Sequence, residues 1–332
     1  WIARTDPEGR SWELLSMGYR NEFDAAFNRE GELFAYDADM EWDMNTPWYR
    51  PTRVCHAVSG SEFGWRSGSG KWPVYYPDSL PAVVNVGPGS PTGVCFGYGA
   101  KFPAAYQEAF FACDWTFGRI FAVHLTPKGA TYQADVELFL SAKGLPVTDL
   151  AVSPTDGALY FTVGGRGAGS ALYRVTYRGK ETRAPTVGKA PDPATAALHK
   201  LRRELESFHG EANPKAVAVA WPLLAHADRA IRGAARAALE WQPVAEWKER
   251  ALAEKDPRIA LQSLLALARS TDGDKAVQPA LLAALERFDF GKLPADEQCW
   301  YLRILTVSAS RHGMYPTDVV AKLVKKLQPA NH

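Results

Sequence analysis

The chain has 332 residues and nearly balanced charge, 38 Lys and Arg against 37 Asp and Glu, for a formal net charge of +1. That length makes two domains the expectation and is enough to bury a sizeable core. The balance argues against a general nucleic-acid binder, and no apolar run of about 18 residues is present to span a membrane.

The first residues, WIARTDPEGRSWELL, lack the basic start and the apolar stretch of a signal peptide and do not begin with Met. They read as mid-domain sequence, so a fragment of a longer protein is expected. Up to about residue 180 the chain is rich in Gly, Pro and aromatic residues. The runs GELFAYD, EAFFACDW, GRIFAVHL, GALYFTV and ALYRVTY are short, apolar and bounded by turn residues. They read as β-strands, several of them in hairpins.

A motif recurs within this half. Asp24 to Asp37 (DAAFNREGELFAYD) resembles Asp149 to Val163 (DLAVSPTDGALYFTV), and Thr92 to Trp115 is a stretched third copy. Each copy has a short apolar strand, a polar turn and an apolar-aromatic strand. Spaced about 55–70 residues apart, such copies suggest propeller blades with long loops.

Arg20-Asn21 precedes the first copy. The Arg20 fork either reaches a ligand carboxylate or quinone oxygen, or pairs structurally with Asp24, Asp37 or Asp39. The stretch Asp37 to Asp43, DADMEWD, puts an acid at every second position. In an extended chain all four would share one face and repel. An EF-hand is excluded, because Trp42 and Trp48 stand where Gly and Glu are needed. Two readings stay open: a solvated face neutralised by Arg20, Arg50 or Arg53, or a hard-cation site, calcium most plausibly, on Asp37, Asp39, Glu41 and Asp43.

Arg50 to Pro73 is dense in Arg, Trp and Gly. Trp65, Arg66 and Trp72 can floor a pocket for a flat or sugar-like ligand, and His56 is either a proton-transfer group or a hydrogen-bonded structural residue. In CDWTFGR, Asp114 and Trp115 are expected at a hairpin mouth. VGGRGAGS is followed by a strand, which rules out a dinucleotide loop and leaves Arg166 at a tip lining a channel. The four cysteines, Cys55, Cys95, Cys113 and Cys299, contain no Cys-x-x-Cys. Free buried thiols and one disulfide among the first three both remain open.

After a Pro/Gly/Thr linker the chain turns Ala- and Leu-rich with helical spacing. DRAIRGAARAALE from Asp228 and DPRIALQSLLALA from Asp256 each open on an Asp suited to an N-cap, and Pro257 suits the first helical position. The period of about 28 residues looks like short HEAT-type hairpins. Trp221 and Trp241 are expected in the interhelical core.

Residues 18 to about 178 resemble the soluble quinoprotein glucose/sorbosone dehydrogenase superfamily, and in particular the propeller of large bacterial "membrane-bound dehydrogenase" proteins. The runs that carry the likeness are GYRNEFDAAFNREGELFAYDADMEWD, HAVSGSEFGWR, GSPTGVCFGYGAKFP, FFACDWTFGRIFAVHL and PVTDLAVSPTDGALYFTVGGRG. The resemblance implies a six-bladed propeller holding pyrroloquinoline quinone and calcium at one mouth, followed by HEAT-like repeats and often a haem c domain, which this chain lacks. Arg20 and Asn21 fall on the Gly-x-Arg-Asn motif, whose Arg approaches the quinone. The segment YDADME falls where backbone carbonyls hold the calcium, with acids here in place of Gly-Pro. Pro146 and Thr148 stand where the quinone enzymes carry arginines, and the general-base His belongs to an earlier blade.

The expected architecture is therefore all-β plus all-α: a partial propeller of about three blades over residues 1–180, a linker over 181–196, and a helical HEAT-like domain over 197–330. The leading functional expectation is a fragment of a quinoprotein-like dehydrogenase. It would oxidise a sugar or alcohol, with Arg20, Asn21, Trp65, Arg66, Asp114, Trp115 and Arg166 around the cofactor. The resemblance also implies a periplasmic or secreted location. The alternative is a non-catalytic scaffold binding polysaccharide or a protein partner on the HEAT surface, and Pro146 and Thr148 favour it. A calcium-dependent propeller hydrolase such as a lactonase is a third reading.

Overall fold

The computed structural model describes residues 1–188 and 190–327. They fall into two compact units, Trp1–Trp72 with Pro81–His199, and Pro73–Leu80 with the described part of Lys200–His332.

The first unit is a set of small sheets. Strands β1 (Ile2–Thr5), β2 (Trp12–Met17) and β6 (Ser61–Glu62) form one. The next, in the order β3-β4-β5-β7, uses β3 (Ala25–Phe27), β4 (Leu33–Asp37), β5 (Thr52–His56) and β7 (Val84–Gly87). The third is a four-stranded meander of β8 (Pro91–Phe96), β9 (Phe110–Asp114), β10 (Arg119–Lys128) and β11 (Thr131–Ser141), with the one-turn helix α1 (Ala104–Gln107) between its first two strands. The last is β12 (Val147–Val152), β13 (Leu159–Gly165) and β14 (Ala168–Val175). The three repeats read in the sequence are the first two strands of the last three sheets.

The third sheet shows why EAFFACDW is apolar without a break. Successive strand residues point to opposite faces. Phe110 and Ala112, with Phe121 and Val123 of β10, pack against Phe34, Tyr36 and Val54 of the preceding sheet. Phe111 and Cys113, with Ile120 and Ala122, pack against Leu150, Leu159 and Phe161 of the following one. A sheet buried on both faces needs apolar residues at every position. Truncating one of its phenylalanines to Ala costs roughly 3–5 kcal/mol.

Among the first strands of the last three sheets, β8 neighbours both β3 and β12. Asp24 clips two together, accepting N–H groups from Ala25 at 2.8 Å and Val94 at 2.9 Å. At Gly93 an added Cβ would lie 2.0 Å from Asp149 Oδ1, so close approach of β8 and β12 requires glycine there. This succession of meanders around adjacent first strands is propeller-like.

The second unit is helical. Helix α2 (Pro193–Glu206) contains the passage into it. It continues with α3 (Ala216–Ala220), α4 (Arg229–Glu240), α5 (Lys248–Ala253), α6 (Pro257–Ser270), α7 (Val277–Glu286), α8 (Ala295–His312) and α9 (Thr317–Lys326). Asp228 caps α4 by accepting N–H from Ala230 and Ile231, and Asp256 caps α6 through Arg258 and Ile259. Pro257 opens α6. Ala230, Ala234, Ala235 and Ala238 of α4 are buried, and α6 packs against both α4 and α8. Trp221 is buried, but Trp241 is 46% exposed and lies outside the expected interhelical core.

The units part from the expected boundaries in two places. Residues 73–80, expected in the sheet half, belong with the helices, and residues 181–188 and 190–199 belong with the sheets. The linker is held by side chains: Gln107 Nε2 donates to the Ala184 carbonyl at 2.9 Å, and its Oε1 accepts N–H from Thr186 at 3.1 Å. Lys189 of the expected linker and residues 328–330 of the expected helical domain lie outside the described residues. Among the described residues no helix is long and apolar enough to cross a membrane.

Candidate functional site

The antiparallel registers gather most sequence candidates at one end of the first unit. Ala25 pairs with Ala35, so the start of β3 lies beside the end of β4, and Asp37 at that end pairs with Arg53. Asp114 likewise pairs with Arg119, and Gly165 with Ala168. The loops after β4, β9 and β13 therefore emerge at corresponding ends of their sheets. The 18–21 turn joins the first of them through Asp37, and Trp65 N–H donates to the Gly18 carbonyl at 2.8 Å.

DADMEWD is not an extended strand. β4 stops at Asp37, whose Oδ1 takes the N–H of Ala38 at 2.9 Å and bends the chain. Glu41–Asp43 is a short 3-10 helix. The expectation of four acids on one face is thereby corrected, and each meets a different fate. Asp37 is fully buried. Its Oδ1 also accepts the main-chain N–H groups of Arg20 at 2.9 Å and Asn21 at 3.1 Å. Its Oδ2 receives Arg53 Nη2 at 3.0 Å and Nε at 3.2 Å. Arg53, not Arg20, supplies the compensating charge.

Asp43 is held by Lys71 Nζ, whose side chain is fully buried, and by Trp48 Nε1 at 3.2 Å. The Lys71 bond holds the Asp43 carboxyl below the usual range. Glu41 is exposed and stands 3.7 Å from Arg20 Nη2. Asp39 Oδ2 accepts the Tyr49 hydroxyl at 2.7 Å, while its Oδ1 is buried with no partner among the described residues. Burial pushes the Asp39 carboxyl up from its ordinary value, and Glu41 adds to the shift.

The donor set does not fit calcium. Arg53 and Lys71 neutralise two of the four carboxylates, and no three metal-ligating side chains come together among the described residues. The fit to an anionic planar ligand is better. Among the described residues the Arg20 guanidinium meets Met40 Sδ at 3.6 Å and exposed Glu41, and it acts on the Asp39 carboxyl through its charge. Among the described residues no acceptor meets the buried Trp65 Nε1, while Lys71 lies over the indole. Trp42, 85% exposed, stands on the same loop as Asp39.

Other candidates have structural employment. Arg66 grips Glu62 with two nitrogens, both at 3.2 Å, and lies over Trp72. Asp114 is fully buried, accepts N–H from Ser90 and Thr116, and receives Arg119 Nε at 2.7 Å, repeating the Asp37 arrangement. Trp115 donates to the Gly164 carbonyl at 2.8 Å, and Arg166 stacks over its ring. His56 lies at the opposite end of β5, buried between Glu32 Oε2 at 2.8 Å and Thr131 Oγ1 at 2.9 Å. Pro146 offers no N–H, and Thr148 bonds Thr162 at 2.8 Å. A cleft of about 670 Å³, lined by Arg29, Tyr98, Glu108 and Tyr132 among others, lies at that opposite end. All four cysteines are free.

Lys71 and Tyr49 were missed from the sequence. Lys71 lies in a Gly/Ser stretch, 28 positions from Asp43, with no periodicity tying the two. Tyr49 carries no motif, and its position six residues past Asp43 gave no signal that it would fold back on Asp39.

No family model and no curated protein matches the chain. Among solved structures it is similar to the PQQ-bound aldose sugar dehydrogenase of Streptomyces coelicolor, at 16% identity over 52% of this chain and 50% of that one, with a TM-score of 0.38. It is also similar to the soluble aldose sugar dehydrogenase of Escherichia coli in the apo form, at 18% identity over 50% and 47%, with a TM-score of 0.38. A glucose dehydrogenase gives 17% identity over 52% and 48%, with a TM-score of 0.42. The chain spans about half the length of each, and scores of this size do not by themselves establish a common fold.

Proposed function

We propose that this chain is part of a sugar-oxidising dehydrogenase of the quinoprotein kind, with its ligands bound at the end of the sheets that carries Arg20, Asp39 and Trp65. The observation that carries the reading is the pair of buried atoms there, Asp39 Oδ1 and Trp65 Nε1, that have no hydrogen-bond partner among the described residues. An unmet buried polar atom costs roughly 1–3 kcal/mol. A polyhydroxylated ligand that draws these two side chains outward on binding supplies what both lack, a hydroxyl to donate to Asp39 and an oxygen to accept from Trp65. Exposed Trp42 offers an aromatic face to a sugar ring.

A quinone, when bound, supplies the hydride acceptor for sugar oxidation. Arg20, Asn21 and Trp65 are the residues that would hold it. Arg20 presents a fork to its anionic edge, and the Asp37 cradle fixes the turn from which Arg20 projects. Asp39 orients a substrate hydroxyl. Calcium on DADMEWD has no place in the proposal. Onward electron transfer to a haem c domain outside this chain, export to the periplasm or beyond, and a HEAT-type array with a protein partner complete it.

Calorimetry with pyrroloquinoline quinone and with aldoses tests the proposal. Quinone binding lost in Arg20→Ala and aldose binding weakened about tenfold in Asp39→Asn are expected. Absence of heat with either ligand sinks the reading. The scaffold reading is favoured by one observation, that Pro146 and Thr148 bring no positive charge to a cofactor carboxylate and the Thr148 hydroxyl is paired with that of Thr162. It predicts polysaccharide or aldose binding without quinone binding or dye-linked turnover.

A further inference from the structure

The segment Pro73–Leu80, PVYYPDSL, lies in the helical unit although its neighbours in sequence lie in the sheet unit. It forms no helix or strand, only turns. Its polar groups are instead met by arginine side chains from three adjacent helices. Arg229 donates to the carbonyls of Tyr76 and Ser79, and Arg236 Nη1 to that of Pro77 at 2.8 Å. Arg303 forks onto Asp78, with Nε 2.9 Å from Oδ1 and Nη2 2.8 Å from Oδ2, and Arg269 Nη1 adds a third nitrogen at 3.2 Å. The Arg303 guanidinium also lies 4.3 Å over the Tyr76 ring. Leu80 packs on α4 at Gly233, where a side chain would meet its Cδ2 at 3.7 Å.

The arginines are held in place by the helices. Glu240 receives Arg236 Nε at 3.2 Å and Arg269 Nε at 2.8 Å, and Gln262 receives Arg236 Nη1 at 3.3 Å. Forks fixed in advance lose little freedom on binding. Burial alone would raise the Asp78 carboxyl, but Arg303, with Arg269 and Arg236 behind it, holds it below its ordinary value. Charge-assisted contacts to one buried acid, plus donors to main-chain carbonyls, make up the chemistry by which arginine clusters recognise acidic motifs.

We propose that the α4–α6–α8 face is a peptide-binding site for an acidic segment of the Tyr-Pro-Asp-Ser type, filled in this protein by its own residues 76–79. The inference is independent of the dehydrogenase reading. A segment tethered at both ends competes at an effective concentration on the order of millimolar, so an added peptide meets a filled site in the wild type and an open one once the internal acid is removed.

The test is fluorescence anisotropy with a labelled synthetic peptide of residues 73–80 and the full chain. The expected result is no binding to wild type, saturable binding to Asp78→Ala, and loss of that binding when Arg303→Gln is added. A peptide with Asn in place of the Asp should bind roughly 30-fold or more weakly. Helical circular dichroism shows whether the variant is folded, and Asp78→Asn replaces Asp78→Ala if it is not. A folded variant that ignores the peptide, or binds the Asp and Asn peptides alike, overturns the proposal. Unfolding of both variants overturns it too, because the segment is then a part of the core and not a displaceable ligand.

Discussion

Asp37 meets Arg53 across the β4–β5 register, two guanidinium nitrogens at 3.0 and 3.2 Å from one carboxylate oxygen while three main-chain N–H groups hold the other. Removing one partner of such a buried pair strands the other's charge. Arg53→Ala is expected to lose roughly 3–5 kcal/mol in urea unfolding. Arg53→Ala combined with Asp37→Ala should lose less than the two single changes added together. Additive losses would mean the two groups act separately.

Asp39 gives a pH signature. A carboxyl whose folded-state pKa lies above its unfolded value binds its proton more tightly when folded. Its contribution to stability is therefore complete below the ordinary value of 3.8 and is lost as pH rises through the raised folded pKa. Asp39→Asn should raise the melting temperature relative to wild type at pH 7, with the difference shrinking toward pH 4. A pH-independent difference between the two melting curves would contradict the assignment.

Gly18 sits at φ +84°, and a Cβ there would lie 1.7 Å from Glu62 Oε1 and 2.6 Å from the Gly64 nitrogen. Strain and collision act together, so Gly18→Ala is expected to cost roughly 2–4 kcal/mol. It should also loosen the Arg20 turn. Thermal unfolding with hydrogen exchange at Arg20 and Asn21 reads both, and an unchanged melting temperature would refute the packing argument.

Burial pushes the Cys55 and Cys95 thiols up to about 12, and Cys113 well above its ordinary value. The thiolate is the reactive form. Alkylation at pH 8 followed by mass spectrometry should modify Cys299 first in the folded protein and all four only in urea. Rapid native labelling of Cys55 or Cys113 would show that the sheet unit opens.

Because Arg53 and Lys71 already neutralise Asp37 and Asp43, calcium should gain nothing from the DADMEWD side chains. Glu41→Ala and Asp39→Ala are expected to leave any calcium-induced shift in melting temperature unchanged. A shift present in wild type and abolished by either change would restore the metal site.

What could be read from the sequence followed local rules. The paired caps of α4 and α6 need only an Asp before an amphipathic run. The unbroken apolar stretch of β9 signals a strand covered on both sides, although not which sheets cover it. DADMEWD misled because its alternation is real while its backbone is not extended. The Asp37 carboxylate takes the Ala38 N–H, a local bond that no two-residue period reveals. Segment 73–80 was beyond reach for another reason. Asp78 finds Arg303 across 225 positions, and turn-rich composition alone reads as a loop. Arg20 meets Asp37 through its main chain, with Arg53 doing the neutralising.

The repetition of the Asp37–Arg53 pair as Asp114–Arg119 has an evolutionary consequence. Each latch secures strand register just before the chain leaves the sheet. The strands beneath thus keep their register independently of the contacts, such as Lys71 with Asp43, that hold the loop beyond. Such modularity lets a scaffold change its ligand while keeping its folding instructions intact.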